Sequence, residues 1–110
     1  MKIAAVQMTA TPEWARNRDA AARLVAQAAA AGAQLVLLPE YFCLMGQRDT
    51  DKLALAEPAG SGPIQQFLSD AARSHGLWLV GGTLPIIPNP IPNPGHSATR
   101  HQAATAPQGR

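Results

Sequence analysis

Three short apolar runs alternate along the chain with two longer segments in which apolar residues recur at helical spacing. The runs cover 2–8, 34–38 and 77–80. Apolar runs this short, bounded by turn residues, are typical of strands buried on both faces of a sheet. The periodic segments predict amphipathic helices that pack on that sheet. This order of elements predicts an α/β fold, a βαβαβ unit with parallel strands.

The first predicted helix begins near Thr11, with a hydroxyl cap followed by a proline, although Asn17 offers a second possible cap. Gly32 follows the helix where a left-handed cap is expected. Its apolar stripe is Ala21, Leu24, Val25, Ala28 and Ala31.

The second predicted helix has Pro63 at its first position after a cap at Ser61 or Gly62, and Gly76 ends it. Its apolar positions are Ile64, Phe67, Leu68, Ala71 and Ala72. The segment Gly60-Ser61-Gly62 superficially resembles a phosphate-binding loop, but it follows no strand and lacks the Gly-Lys-Ser/Thr of a P-loop. We therefore interpret it as a turn and helix start. Gly81-Gly82 is expected to close the third strand.

The composition changes near residue 87. Ile87-Pro88-Asn89-Pro90 is repeated at once as Ile91-Pro92-Asn93-Pro94, and residues 95–110 contain no large apolar residue and no acid. Such a segment buries too little apolar surface to offset the entropy of ordering it. We predict a folded part over 1–86 and a disordered, Pro-rich tail over 87–110.

Composition and charge exclude several classes of function. A chain of 110 residues with a net charge of +2 and scattered basic residues does not suggest nucleic-acid binding. A single cysteine rules out an internal disulfide, and no Cys/His spacing resembles a metal site. No apolar run is long enough for a membrane span, and the N-terminus lacks a signal-peptide pattern. We expect a soluble cytoplasmic protein.

Glu40 is the leading candidate for chemistry. Pro39 cannot donate to a sheet, so pairing should stop there and place Glu40 just past the carboxyl end of a buried strand. Catalytic groups collect at that edge of α/β sheets. Burial there would raise the pKa of Glu40 towards neutrality, as a general base requires. The alternative is a solvated loop residue or helix cap.

Other reactive side chains have simpler explanations. Cys43 follows Glu40 closely but has no histidine near it in sequence, so we interpret it as a partly buried structural cysteine. His75 lies in the last turn of a predicted helix, where the helix dipole favours it. His96 and His101 fall in the predicted disordered tail.

Four segments together resemble the start of the carbon–nitrogen hydrolase (nitrilase) superfamily, over about residues 1 to 86. They are Lys2-Ile-Ala-Ala-Val-Gln-Met8, the helix ending in Ala31-Gly32-Ala33, Leu37-Leu38-Pro39-Glu40-Tyr41-Phe42, and Gly76-Leu77-Trp78-Leu79-Val80-Gly81-Gly82-Thr83. The resemblance implies a four-layer α-β-β-α sandwich, usually dimerised through its helical layer, and no cofactor.

The family's catalysis uses a glutamate, a lysine and a cysteine. The cysteine attacks an amide or nitrile carbon, the glutamate is the general base, and the lysine helps to stabilise the oxyanion. Only the glutamate carries over, onto Glu40, because Lys52 and Cys43 lie in the wrong places. The resemblance therefore implies a truncated and inactive carbon–nitrogen hydrolase, or one completed by another chain. The alternative is a non-catalytic α/β interaction module that uses its helices or its Pro-rich tail.

Overall fold

The computed structural model describes residues 1–44, 55–87 and 100–105. Its elements are β1 (Ile3–Ala5), α1 (Trp14–Ala30), β2 (Leu35–Leu37), β3 (Glu57–Pro58), α2 (Pro63–His75), β4 (Trp78–Ile87) and β5 (Arg100–Thr105). β1, β2 and β4 pair in parallel in that order, and the register aligns Ile3, Leu35 and Trp78. β3 runs parallel to β4, whereas β5 is antiparallel to it. The predicted α/β class with its βαβαβ unit is confirmed.

The helices cover one face of the sheet. Val36 of β2 and Leu79 of β4 point to that face and are fully buried. They share one hydrophobic core with Val25 of α1 and Leu68 of α2. The apolar spacing that predicted the two helices thus identifies the positions that face the sheet.

The opposite face is open among the described residues. Ile3, Leu37 and Trp78 are exposed there by 57%, 37% and 48%. The expectation that the strands are buried on both faces is therefore wrong for this part of the chain. The reason is that both helices lie on the same side, so every second strand residue lacks a covering layer within the described residues.

The helix termini follow the predicted signals, with one exception. Gly32 and Gly76 adopt left-handed conformations with φ of 92° and 62°, and Pro63 begins α2. α1, however, begins at Trp14 rather than near Thr11. The Thr11 hydroxyl accepts a hydrogen bond from the backbone N–H of Glu13 instead of from a helical residue.

β4 is longer than the sequence indicates. Gly81-Gly82 does not end this strand. Instead, the pair forms an irregularity within it: Gly82 has a positive φ of 71°, and the register with β5 shifts between Val80 and Gly82. The strand passes through this irregularity, which behaves as a β-bulge, and continues to Ile87.

Within the predicted disordered tail, residues 100–105 form β5 alongside β4, which differs from the prediction for those six residues. Sheet pairing uses backbone groups, so a segment without large apolar side chains can still be ordered by an available strand edge. Apart from Ile87, the last residue of β4, the Ile-Pro-Asn-Pro repeat lies outside the described residues.

Candidate active site

Glu40 lies at the carboxyl edge of the parallel sheet, as predicted. Pairing continues one residue past β2, where the Leu38 N–H donates to the Val80 carbonyl at 2.8 Å. The next residue, Pro39, has no N–H to donate, and the chain leaves the sheet. Glu40 is thus the second residue beyond the last backbone hydrogen bond between the β2 segment and β4.

A tight turn holds Glu40. The Phe42 N–H donates to the Pro39 carbonyl at 3.1 Å, and the Leu44 N–H donates to the Tyr41 carbonyl at 3.2 Å. Tyr41 has a φ of 53°, a left-handed conformation that side chains other than glycine seldom adopt. Phe42 is fully buried. The turn therefore has a buried anchor two residues after the exposed glutamate.

β4 approaches the backbone of this turn closely at Gly82. A Cβ atom at Gly82 would lie 3.0 Å from the Cα atom of Glu40 and 3.1 Å from the Pro39 carbonyl oxygen. Such contacts are tighter than side chains normally tolerate. The bulge in β4 thus brings a residue without a side chain against the part of the turn that carries Glu40.

Glu40 is an exposed residue, so the expected burial at the sheet edge is not found among the described residues. The residue can therefore be reached from outside the described part of the protein.

Cys43 is fully buried rather than partly buried as predicted, which favours the interpretation as a structural cysteine. Burial raises its pKa to about 11, and the Glu57 carboxylate adds to this effect while a backbone hydrogen bond opposes it. A nucleophilic cysteine needs an accessible thiolate at neutral pH. Cys43 has neither the exposure nor the ionisation for that role.

Glu57 is a buried carboxylate that the sequence analysis missed. It is 4% exposed and accepts hydrogen bonds from the N–H groups of Ile64 and Gln65, at 2.6 and 3.0 Å. The side-chain amide of Gln65 donates to it as well, at 3.0 Å. Glu57 therefore caps the N-terminus of α2, where the helix dipole also favours a negative charge.

Gly62 leaves the space that this cap needs, because a Cβ atom there would collide with the Glu57 side chain. No local signal predicts the arrangement, since the cap lies on β3, before the turn that leads to α2. A capping carboxylate is normally sought at the helix start itself.

Other sequence candidates are not brought to this edge. His75 is an exposed residue of the last turn of α2. Lys52 and His96 lie outside the described residues, and His101 is described only as a position in β5. Within residues 1–44, 55–87 and 100–105, no group of three His, Cys, Asp or Glu side chains is arranged to hold a metal ion. No helix in that part of the chain is long and apolar enough to cross a membrane.

Comparison with known proteins identifies the family. The family model described as Carbon-nitrogen hydrolase matches residues 2–97. This chain belongs to the carbon–nitrogen hydrolase family. Human deaminated glutathione amidase is 38% identical over 81 residues, which are 73% of this chain and 24% of that protein.

Solved structures of the family share the fold. An amidase from Nesterenkonia sp. matches with a TM-score of 0.65 and 34% identity, over 77% of this chain and 32% of its own. Saccharomyces cerevisiae Nit3, a member of branch 10 of the nitrilase superfamily, matches with a TM-score of 0.73 and 25% identity, over 94% of this chain and 38% of its own.

The matches cover only part of the relatives but extend past the sequence motifs of this chain. The chain spans about a quarter of the length of the human relative. The family match continues past residue 86 and through the Ile-Pro-Asn-Pro repeat to residue 97. The likeness to the family therefore reaches further into the Pro-rich segment than the sequence motifs indicate.

Proposed function

We propose that this chain supplies the N-terminal part of a carbon–nitrogen hydrolase that acts on small amides or nitriles, with Glu40 as its general base. The observation that carries the proposal is the position of Glu40, exposed at the carboxyl edge of a parallel sheet and just past β2. In one solved structure of the Nesterenkonia amidase, a glutamate-to-glutamine mutant, acrylamide has undergone Michael addition at the active site cysteine. This relative supports a mechanism in which a glutamate and a cysteine act in the same active site.

The proposed mechanism makes Glu40 accept and return a proton in each of two steps. Its carboxylate accepts the proton of a cysteine thiol as the sulfur attacks the amide or nitrile carbon. Glu40 returns that proton to the substrate nitrogen, so that the amine of an amide leaves or a nitrile becomes a thioimidate. Glu40 then accepts a proton from the water that attacks the covalent intermediate and returns it to the departing cysteine sulfur, while a lysine stabilises the oxyanion.

Neither the nucleophile nor the lysine is proposed among this chain's residues. Cys43 is the single cysteine of the sequence and is fully buried. Lys2 donates to the Ala31 carbonyl at 2.8 Å, at the end of α1. The chain on its own is therefore proposed to be inactive, and the complete enzyme requires a cysteine and a lysine supplied by further chain or by another polypeptide.

A chimera tests the proposal. Residues 1–86 of this chain replace the matching segment of the Nesterenkonia amidase, and hydrolysis of short aliphatic amides and nitriles is measured beside the chain alone. We expect turnover by the chimera and none by the chain. A chimera that folds by circular dichroism yet is inactive would contradict the proposal. Turnover by the chain alone that is lost in Cys43→Ala would show that the nucleophile has been misplaced.

A second candidate is a non-catalytic interaction module that uses its helices. One observation favours it, a groove of about 450 Å³ between α1 and α2. Its lining includes Trp14, Arg18, Phe67, Asp70 and His75. The same chimera separates the two candidates, because an interaction module restores no turnover to the hydrolase.

A further inference from the structure

We propose that Asn17 is a positioning residue that fixes the turn carrying Glu40. The inference rests on the proposed function in taking Glu40 as the base, but its structural part can be tested alone. Asn17 lies on α1, which is not part of the sheet edge, and it makes no proposed contact with substrate. It acts through the backbone of the turn.

Asn17 is buried, with 1% of its surface exposed, and its side chain joins two loops. Its Nδ2 group donates to the Cys43 carbonyl and to the Thr11 carbonyl, both at 2.7 Å. Its Oδ1 atom accepts from the Thr11 N–H at 2.7 Å and from the Thr11 hydroxyl at 3.0 Å. One side chain therefore ties the segment that follows β1 to the turn that follows β2.

Only a side-chain amide of this length satisfies the arrangement. The donors and acceptors of the Asn17 amide are all used, two hydrogens by carbonyls and the oxygen by an N–H and a hydroxyl. A carboxylate has the same shape but cannot donate, and it would place an oxygen against the Cys43 carbonyl. A serine is too short to reach both loops.

The contact matters for Glu40 because it adds a polar anchor at the end of a turn that is also held by a strand hydrogen bond and by aromatic packing. Leu38 holds the start of the turn through its bond to Val80, and Phe42 packs edge-to-face on Trp14 at 6.1 Å between ring centroids. The Cys43 carbonyl fixes the backbone directly after Phe42. Release of that carbonyl lets the segment rotate about the left-handed Tyr41, which neighbours Glu40.

The experiment compares Asn17→Asp and Asn17→Ser with Val25→Ala, which removes core volume from the same helix about two turns further along. Amide hydrogen exchange is measured in the full chain at Phe42 and Leu44, relative to Leu79 in the sheet. We expect both Asn17 variants to accelerate exchange at the turn about tenfold more than at Leu79, and Val25→Ala to accelerate all sites alike.

The Glu40 carboxyl ¹³C resonance provides a second readout in the same three variants. It should shift in both Asn17 variants and stay unchanged in Val25→Ala. A shift in Asn17→Asp alone would indicate only the added charge and would contradict the proposal. Uniform exchange with an unchanged Glu40 resonance in both variants would overturn it.

The chimera adds the catalytic readout. We expect Asn17→Ser to lower kcat about tenfold with KM within about twofold, and Val25→Ala to change neither by more than about twofold. An unchanged kcat in Asn17→Ser would overturn the positioning role. If Glu40→Gln leaves turnover intact, the proposed function fails, while exchange and the Glu40 resonance still decide whether Asn17 holds the turn.

Discussion

Two glutamates near strand ends, Glu40 and Glu57, have opposite environments. Glu57 is 4% exposed and accepts hydrogen bonds from the backbone of α2 and from Gln65. Glu40 is exposed at the carboxyl edge of the sheet. Each glutamate lies beside a glycine: Gly62 faces the side chain of Glu57, whereas Gly82 faces the backbone of Glu40.

The difference separates a carboxylate that serves the fold from one that serves as a base under the proposed function. At Gly62 the missing side chain makes room for the carboxylate itself, so Glu57 lies at the start of α2 and stabilises that helix. At Gly82 the missing side chain makes room for the backbone of the Glu40 turn, and Glu40 itself is an exposed residue. Under the proposed function, this exposure makes Glu40 available to a substrate.

The largest expected effect is on stability, in Glu57→Gln. The amide has one accepting oxygen, and its NH₂ group would face N–H donors of α2, so we expect a loss of about 2–4 kcal/mol of unfolding free energy. Glu13→Gln is the matched control, because Glu13 precedes α1 but makes no side-chain cap bond. Urea unfolding measures both. Equal effects in the two variants would contradict the capping role.

A pH effect of slightly smaller size is expected at Cys43. Its pKa is raised by burial from an ordinary 9.0 to about 11, so the unfolded chain loses the thiol proton before the folded chain does. Unfolding free energy should therefore fall between pH 9 and 11, by about 2–3 kcal/mol more in the natural protein than in Cys43→Ala. Thiol reagents should label Cys43 only on unfolding. Rapid labelling of the folded chain would contradict its structural assignment.

Gly82→Ala should cost about 1–3 kcal/mol, because it combines a left-handed backbone with the contact to Glu40. Gly60→Ala is the matched control, since Gly60 also has a positive φ, of 86°, but a Cβ atom there would meet nothing within 4 Å. The excess cost at Gly82, measured by urea unfolding, reports the close approach to the turn. Equal costs would mean that β4 does not constrain Glu40.

The smallest stability change should occur in Glu40→Gln. An exposed side chain that changes little in size should alter the unfolding free energy by less than about 0.5 kcal/mol. Urea unfolding beside Glu57→Gln gives the comparison. A cost at Glu40 as large as that at Glu57 would show that both carboxylates serve the fold.

Local signals in the sequence predict much of the fold. Pro63 and Gly76 bound α2, Gly32 follows α1, and the spacing of Val25 and Leu68 identifies the helix faces that meet the sheet. Each of these features depends on residues within a few positions of one another. Pro39 likewise predicts where β2 ends and hence where Glu40 lies.

The features that the sequence did not reveal depend on partners distant in the chain. Glu57 caps α2 from β3. Asn17, which the sequence indicates as a possible helix cap, instead donates a hydrogen bond to the carbonyl of Cys43. The exposure of Glu40 is likewise not indicated by its neighbours in the sequence. β5 depends on the strand edge of β4, which the composition of residues 100–105 does not indicate.

The most direct test of Glu40 as the base is kcat/KM for amide hydrolysis by the chimera carrying Glu40→Gln, with the Glu13→Gln chimera as control. We predict a decrease of about 100-fold or more for Glu40→Gln, from loss of proton transfer, with unfolding free energy preserved. The Glu13→Gln chimera should keep its activity. A Glu40→Gln chimera that hydrolyses amides as well as its parent would contradict the account.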